Sequence, residues 1–380
     1  MRKIKMGMVG GGRDAFIGAV HRMAAALDGQ IDLACGAFSS NAEKSKLSGQ
    51  DFYLPENRVY GSYTEMIETE KKLPFGERMD FVSIVTPNNM HFPPAKMALE
   101  NGFHVVCDKP LCLTIPEAED LVKLVNETQL HFALTHNYTG YPMVKQARAM
   151  VASGALGKIR KIHVGYPQGW LSKFEEGSGQ KQAAWRTDPT KSGVGGALGD
   201  IATHAENLAG YISGLKITKL YAQLNTFVEG RLLDDDTNIF LEYSNGAKGI
   251  LFASQICAGE ENGLHIKIYG ELGGLEWTQT EPNTLIHRAL GETAKMYRTG
   301  VGTLSSAAQK NTRMFMGHPE GYIEAFANIY KNFAYALQAS WGFKTPDSDL
   351  DYPGVEDGLH GMKFVYAVVD SNKKNAWVEF

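Results

Sequence analysis

With 380 residues, the chain exceeds the length at which one hydrophobic core usually stops growing, so two domains are expected. Hydrophobic residues make up 43% and charged residues 21% of it, and the formal net charge is -4, which offers no electrostatic hold on a nucleic-acid backbone. No apolar run approaches membrane-spanning length, and Cys35, Cys107, Cys112 and Cys257 lack any zinc-ligand spacing, so a cytoplasmic protein without nucleic-acid, membrane or metal partners is expected.

Residues 4–9 form a short apolar run that ends at Gly10-Gly11-Gly12, and helical spacing resumes near Ile17. Strand, glycine loop and helix in that order make a seat for a pyrophosphate, because loop amides and a helix N-terminus both favour an anion. Gly10, Gly12 and Gly18 are the working glycines. Residues 13–17 stand between the last two, so the loop is longer than G-x-G-x-x-G. A second strand, 31–37, leads to Ser39, Ser40 and Lys44, where a dinucleotide fold reads its ribose; Ser40 with Glu43 matches a helix capping box. Ser39 stands where an acid would bind the 2′-hydroxyl of NAD, which leaves NADP open as well. A buried strand, 81–85, runs into Thr86-Pro87-Asn88 and His91. Another, 105–107, runs into Asp108-Lys109-Pro110. A capped helix opens at Thr114 with Glu117, and a last short strand precedes His136-Asn137-Tyr138. This alternation predicts an α/β Rossmann domain over residues 1–137: a doubly wound parallel sheet, with ligands at the carboxyl ends of its strands. Gly10, Ser39, Thr86, Lys109 and Asn137 all fall at such ends.

From Tyr141 the pattern changes to a helix, a Gly154 stop and an alternating strand over 159–166. Residues 167–192 are polar and carry Trp170, Trp185 and Arg186, which predicts a long loop over a site. Several long strands follow, two of them joined at Asn245-Gly246 as a tight hairpin, so residues 138–380 are expected to form an α/β domain around a large, mostly antiparallel open sheet. Such a sheet needs its open face covered. A homodimer or homotetramer would do so, and helices over 320–339 and 356–371 would cover part.

The stretch from Gly193 to His204 sets Asp200 and His204 four residues apart behind four glycines. If Asp200 begins a helix, the two share a face, and the glycines let backbone approach a ligand. That spacing serves a general base, two ligands of a divalent-metal enzyme, or a capped core helix equally well.

Taken in order, Val9-Gly10-Gly11-Gly12, Thr86-Pro87-Asn88 with His91, Asp108-Lys109-Pro110, Trp185-Arg186 and Gly199-Asp200 with His204 resemble the Gfo/Idh/MocA oxidoreductase family over nearly the whole length. The resemblance implies dehydrogenation of a sugar, inositol or related polyol with NAD or NADP, NAD slightly preferred, and a catalytic set of Lys109, Asp200 and His204. Cofactor contacts are expected from Gly10, Gly12, Phe16, Ile17, Ser39, Ser40, Lys44, Thr86, Asn88, His91, Asp108, Lys109 and Asn137. Histidine suits the base, its unperturbed pKa of about 6.5 lying near working pH, with Asp200 steadying the imidazolium and Lys109 polarising the hydroxyl. Substrate contacts are expected from Tyr138, Tyr166, Trp170, Trp185, Arg186 and His318, beside Lys109, Asp200 and His204. Some members of the family oxidise a sugar transiently to permit cleavage or epimerisation with recycled NAD. A non-catalytic NAD(H)-sensing protein is the competing class, and it leaves the catalytic trio unexplained.

Overall fold

The computed structural model describes residues 2–13 and 15–380, so Asp14 in the extended glycine loop lies outside the described residues. Strand and helix alternate first: β1 (Ile4–Gly10), α1 (Phe16–Ala26), β2 (Ile31–Ala37), α2 (Ala42–Asp51), α3 (Tyr63–Glu70), β3 (Phe81–Val85), α4 (Phe92–Glu100), β4 (His104–Cys107), α5 (Ile115–Thr128) and β5 (Phe132–Leu134). Among the described residues these strands form one parallel sheet in the order β2-β1-β3-β4-β5. Strand β3 reads Phe-Val-Ser-Ile-Val and is buried at every position, as strands covered on both faces are. The capping box expected at Thr114 and Glu117 opens α5. The one expected at Ser40 is displaced by a residue. Asn41 is the cap, its Oδ1 accepting the Lys44 N–H at 2.9 Å, because Ser39 Oγ accepts the Asn41 N–H and turns the chain there.

The chain continues as α6 (Pro142–Ala152), β6 (Ile159–Pro167), α7 (Lys181–Arg186), α8 (Pro189–Ser192), α9 (Thr203–Ser213), β7 (Ile217–Asn225), β8 (Asp236–Tyr243), β9 (Lys248–Ser254), β10 (His265–Gly270), β11 (Gly273–Thr278), β12 (Thr284–Ala289), β13 (Lys295–Arg298), α10 (Ser306–Lys310), α11 (Tyr322–Ser340), α12 (Val355–Lys374) and β14 (Val378–Glu379). Among the described residues the second sheet runs β13-β12-β11-β10-β6-β9-β8-β7-β14, antiparallel except where β6 pairs β9. The expected alternation is plain in β8, where Thr237, Ile239, Leu241 and Tyr243 are buried while Asn238 and Phe240 are exposed. The hairpin at Asn245-Gly246 forms with Gly246 at φ +87°.

Two local expectations are corrected. Residues 167–192 are not one open loop: a short turn at Glu175–Gly177 is followed by α7 and α8, so Trp185 and Arg186 sit on a helix. Asp200 does not begin an α-helix either. It lies in a π-helical turn, Leu198–Ala202, that leads into α9, so the path from Asp200 to His204 is wider than an α turn.

By its contacts the chain divides into two units. One takes the residues up to Asn137 together with Tyr322–Leu359, the other Tyr138–Gly321 with His360–Phe380. Helix α11, expected to cover the second sheet, is instead part of the first unit's core, where Phe326, Ile329, Tyr330 and Phe333 join Ile4, Met6, Met8 and Phe81. Burying each such side chain stabilises by roughly 1.5–3 kcal/mol. The end of α12 does reach the second sheet, Ser371 Oγ and Asn372 Oδ1 accepting the Ala222 and Leu224 N–H groups of β7 at 3.0 and 2.9 Å. No helix among the described residues is long and apolar enough to cross a membrane.

Candidate functional site

In the first unit the loop leaves β1 with Gly10 and Gly11 at φ +81° and +71°, conformations glycine adopts without strain. Gly18 serves packing: a Cβ there would lie 2.3 Å from the Gly11 Cα. Gly12 donates its N–H to Phe38 O at 3.2 Å, and Arg13 N–H donates to Ser48 Oγ at 3.1 Å, so the lengthened loop is tied to the α2 side. Among the described residues nothing caps the start of α1. Ala15 provides no side-chain cap, the first turn carries no acid, Phe16 is exposed and Ile17 is half-buried. An uncapped helix N-terminus keeps amide donors for an anion, and these residues fit a dinucleotide pyrophosphate.

The other strand ends are braced from within. Thr86 Oγ1 donates to Met90 O at 2.9 Å, and Asn88 is buried. His91, expected at the cofactor, is 1% exposed and has both ring nitrogens on backbone carbonyls, Nδ1 2.6 Å from Pro110 O and Nε2 2.9 Å from Thr86 O. It joins the loop of Thr86 to the loop of Lys109. Asp108 accepts the Lys109 N–H at 2.9 Å and the Thr135 hydroxyl at 2.7 Å, while its second oxygen lies 3.9 Å from His21 Nε2. Burial opposes its ionisation, yet the interaction with the His21 imidazole, with Lys109 and His91 nearby, holds its pKa below the usual carboxylate range. Asn137 closes the set: its Nδ2 is a buried donor with no partner among the described residues, the kind of group a bound ligand satisfies.

In the second unit His204, 7% exposed, meets the Tyr138 ring edge-on, centroids 4.9 Å apart at 88°, with the Tyr166 ring 6.3 Å away. The Tyr138 and Tyr166 hydroxyls are hydrogen-bonded to each other. Tyr166 donates to Asn262 Oδ1 at 2.7 Å, so Tyr138 is the donor of the hydroxyl pair. Asn262 Oδ1 also accepts from Gln168 Nε2 at 2.7 Å, and Gln168 Oε1 accepts from Trp170 Nε1 at 3.1 Å. Asp200 accepts from Gln255 Nε2 at 2.8 Å and faces Arg186 Nε at 3.5 Å; the Arg186 guanidinium lies 4.2 Å over the Trp185 ring. Among the sequence candidates the structure thus gathers Tyr138, Tyr166, Trp170 and His204, and Trp185, Arg186 and Asp200, with the charge of Asp200 near enough to Tyr138 to act on its hydroxyl. His318 stands apart on an exposed loop, its ring 4.1 Å from Phe315. Of the glycines before Asp200, Gly196 serves the protein's own packing, since a Cβ there would lie 2.1 Å from Asp234 O, whereas a Cβ on Gly199 would meet nothing within 4 Å.

Sequence reasoning missed Gln168, Gln255 and Asn262. A signal existed for the first two, because Gln168 and Gln255 directly follow β6 and β9, the parallel pair of the second sheet, at their carboxyl ends. Asn262 carries none. Among the described residues, no group of three or more His, Cys, Asp or Glu is placed to hold a metal ion.

Two family models match the chain: an oxidoreductase family with an NAD-binding Rossmann fold over residues 4–136, and a GFO/IDH/MocA C-terminal domain over residues 144–276. The uncharacterized oxidoreductase YfiI of Bacillus subtilis is 34% identical over 390 residues, spanning 100% of this chain and 97% of that protein. Levoglucosan dehydrogenase of Pseudarthrobacter phenanthrenivorans is 26% identical over 78% of this chain and 79% of its own. Among solved structures, an inositol dehydrogenase homolog from Azotobacter vinelandii complexed with NADH and myo-inositol is 33% identical with a TM-score of 0.91, covering 100% of this chain and 98% of that one.

Proposed function

Because the chain belongs to the GFO/IDH/MocA oxidoreductase family and has its NAD-binding domain, we propose that it transfers a hydride between a secondary alcohol of a sugar, glycoside or cyclitol and a nicotinamide, with NAD slightly preferred over NADP. The observation that carries this reading is the setting of His204: an imidazole against the Tyr138 ring, beside a chain of hydroxyl and amide groups through Tyr166, Asn262 and Gln168. Such a lining exchanges hydrogen bonds with a polyol and offers aromatic faces to its ring. Cofactor binding belongs to residues 1–137 and substrate binding to residues 138–380, on this reading.

His204 takes the hydroxyl proton, a role that suits histidine because its ordinary pKa of about 6.5 lies near neutral pH. Asp200 steadies the imidazolium that forms. Lys109 polarises the reacting hydroxyl and stabilises the developing alkoxide. A bound nicotinamide supplies the hydride acceptor. The outward face of the second sheet carries Tyr221, Phe240 and Tyr269, the last two exposed, and this supports assembly as a homodimer or homotetramer through that face.

The test is a panel of inositols, aldoses, glycosides and anhydro-sugars with NAD or NADP, followed by absorbance of the reduced nicotinamide. Turnover of at least one neutral polyol, lowered about 10²- to 10⁴-fold in His204→Ala with cofactor affinity kept, is the expected result. A wild-type rate retained by His204→Ala at neutral pH overturns the base assignment. Failure of every polyol in both directions overturns the substrate class.

A further inference from the structure

The run Leu232-Leu233-Asp234-Asp235-Asp236 places three aspartates in succession just before and at the start of β8. In the fold Asp234 is 8% exposed and its side chain is fully engaged. Oδ1 accepts the Gly196 N–H at 2.6 Å, and Oδ2 accepts the Leu198 N–H at 2.7 Å and the Thr237 hydroxyl at 3.0 Å. The Asp234 carbonyl accepts the Ala197 N–H at 2.9 Å. Three consecutive amides therefore end on one residue, and they are the three that lead into the π turn bearing Asp200. The Asp200 N–H then closes back on Gly196 O at 2.9 Å.

That turn has no cap of its own. Ala197 stands at the cap position and provides no side-chain acceptor, so a carboxylate 38 residues away does what a local Ser or Asp does at an ordinary helix start. Gly196 makes this possible, because any side chain there would collide with Asp234 O at 2.1 Å. Anchoring of this kind fixes the turn between α8 and α9 against the chain leading into β8, and so sets where Asp200 and His204 point.

We propose that Asp234 is the positioning residue of the reacting pair, holding the Gly196–Leu198 turn so that Asp200 and His204 are presented together. The inference rests on the reading that Asp200 and His204 carry the chemistry. Burial raises the Asp234 pKa above the usual carboxylate value, against the pull of the Leu198 and Gly196 amides and the Thr237 hydroxyl, so three donors on a costly buried group mark a constraint rather than a default. An asparagine in its place keeps the shape and presents an NH₂ to one of the two amides, which then has no acceptor.

The experiment uses the full chain, with myo-inositol first and otherwise whichever polyol of the panel turns over. Asp234→Asn is expected to lower kcat by about 10- to 100-fold with KM and NAD affinity within about twofold, since a small misplacement of a reacting group costs on that order. Thr237→Val, a milder change that removes one donor, is expected to lower kcat a few-fold in the same direction. The deciding measurement is the double variant: if Asp234 acts through the pair, Asp234→Asn costs nothing further in a His204→Ala background, whereas a general loss of structure lowers both backgrounds alike. Histidine NMR of the free enzyme gives a readout independent of substrate, in which the signal missing from His204→Ala is expected to shift in Asp234→Asn and in Thr237→Val. Losses that add in the double variant, or a His204 signal unmoved in both single variants, overturn the inference. A His204→Ala enzyme of full activity overturns the underlying reading instead, which keeps the two failures apart.

Discussion

Arg186 Nε lies 3.5 Å from the Asp200 carboxylate, reaching it from the last turn of α7. Both side chains are only partly covered, 24% and 19% exposed, so the pair contributes little to stability, on the order of 0.2–1 kcal/mol. Its meaning lies in the charge it sets beside Asp200. Arg186→Gln is therefore expected to leave the melting temperature within about two degrees while lowering kcat/KM about tenfold or more, through the loss of a cation that faces Asp200 and, on the proposed reading, the substrate's hydroxyls. Steady-state constants and a thermal melt on the same preparation check it. A melt lowered by several degrees with unchanged constants would make the pair a fold contact.

On the proposed reading, cofactor choice turns on Ser39. Its hydroxyl accepts the Asn41 N–H, and Asn41 in turn caps α2, so this strand end presents hydroxyl and amide groups where an acid would repel a 2′-phosphate. Wild-type discrimination between NAD and NADP is expected to stay below about 10³, equivalent to about 4 kcal/mol, and Ser39→Asp is expected to widen it at least tenfold against NADP. Fluorescence titrations with NADH and NADPH measure both. A wild type that already rejects NADP by more than that factor contradicts the role given to Ser39.

The folded state should weaken in acid well above the carboxylate range. Burial holds His104 and His136 neutral with pKa values of about 3, helped at His104 by the charges of His131 and Arg78 and at His136 by Lys109, against an opposing pull from Asp108. Unfolding returns both to an ordinary value of about 6.5. Below that pH the unfolded chain binds protons that the folded chain refuses, so their contribution is complete above about 6.5 and declines as the pH falls toward 3. The slope approaches about 1.4 kcal/mol per pH unit for each histidine. Urea midpoints at pH 7.5 and pH 5 are expected to differ, and His104→Gln to narrow the difference. Equal midpoints would mean that neither histidine is held neutral.

The parallel sheet was readable because its strands are short apolar runs punctuated by glycine and by polar residues at their carboxyl ends, as at Gly10, Thr86 and Asp108. The alternation in β8 and the turn at Asn245-Gly246 announced the second sheet in the same direct way. Helix α11 shows where such reading stops: its periodicity says that Phe326, Tyr330 and Phe333 are buried but not against which surface, and they joined the core of the first unit. The π turn at Asp200 has no sequence period of its own, and its anchor, Asp234, is set by chain path rather than by spacing. His91 and Asp108 were found at the expected strand ends, yet their hydrogen bonds brace neighbouring loops, a distinction that residue type alone does not make.

The segment over residues 167–192 was expected to be a long loop over a site, and its first half is bolted down. The Arg231 guanidinium, 1% exposed at its side chain, pairs with Glu176 at 2.8 Å and donates to Leu171 O at 2.9 Å and Lys173 O at 3.0 Å. Beyond Glu176 the chain turns at Gly179, φ +83°, and Gly193, φ +94°, which flank α7 and α8. Trp185, half-buried and stacked on Arg186, is the aromatic face of α7 and, on the proposed reading, the one offered to a substrate. Stacking of a sugar on such a face contributes about 0.5–1.5 kcal/mol beyond area burial, so Trp185→Ala is expected to raise KM severalfold with little change in cofactor affinity. Trp170 belongs to the bolted half, its Nε1 donating to Gln168, and Trp170→Ala is expected to lower the melting temperature as well. Steady-state constants, cofactor titrations and melts for the two variants separate these roles. If Trp185→Ala lowers the melting temperature by several degrees and leaves KM unchanged, that ring is core packing and α7 does not touch the substrate.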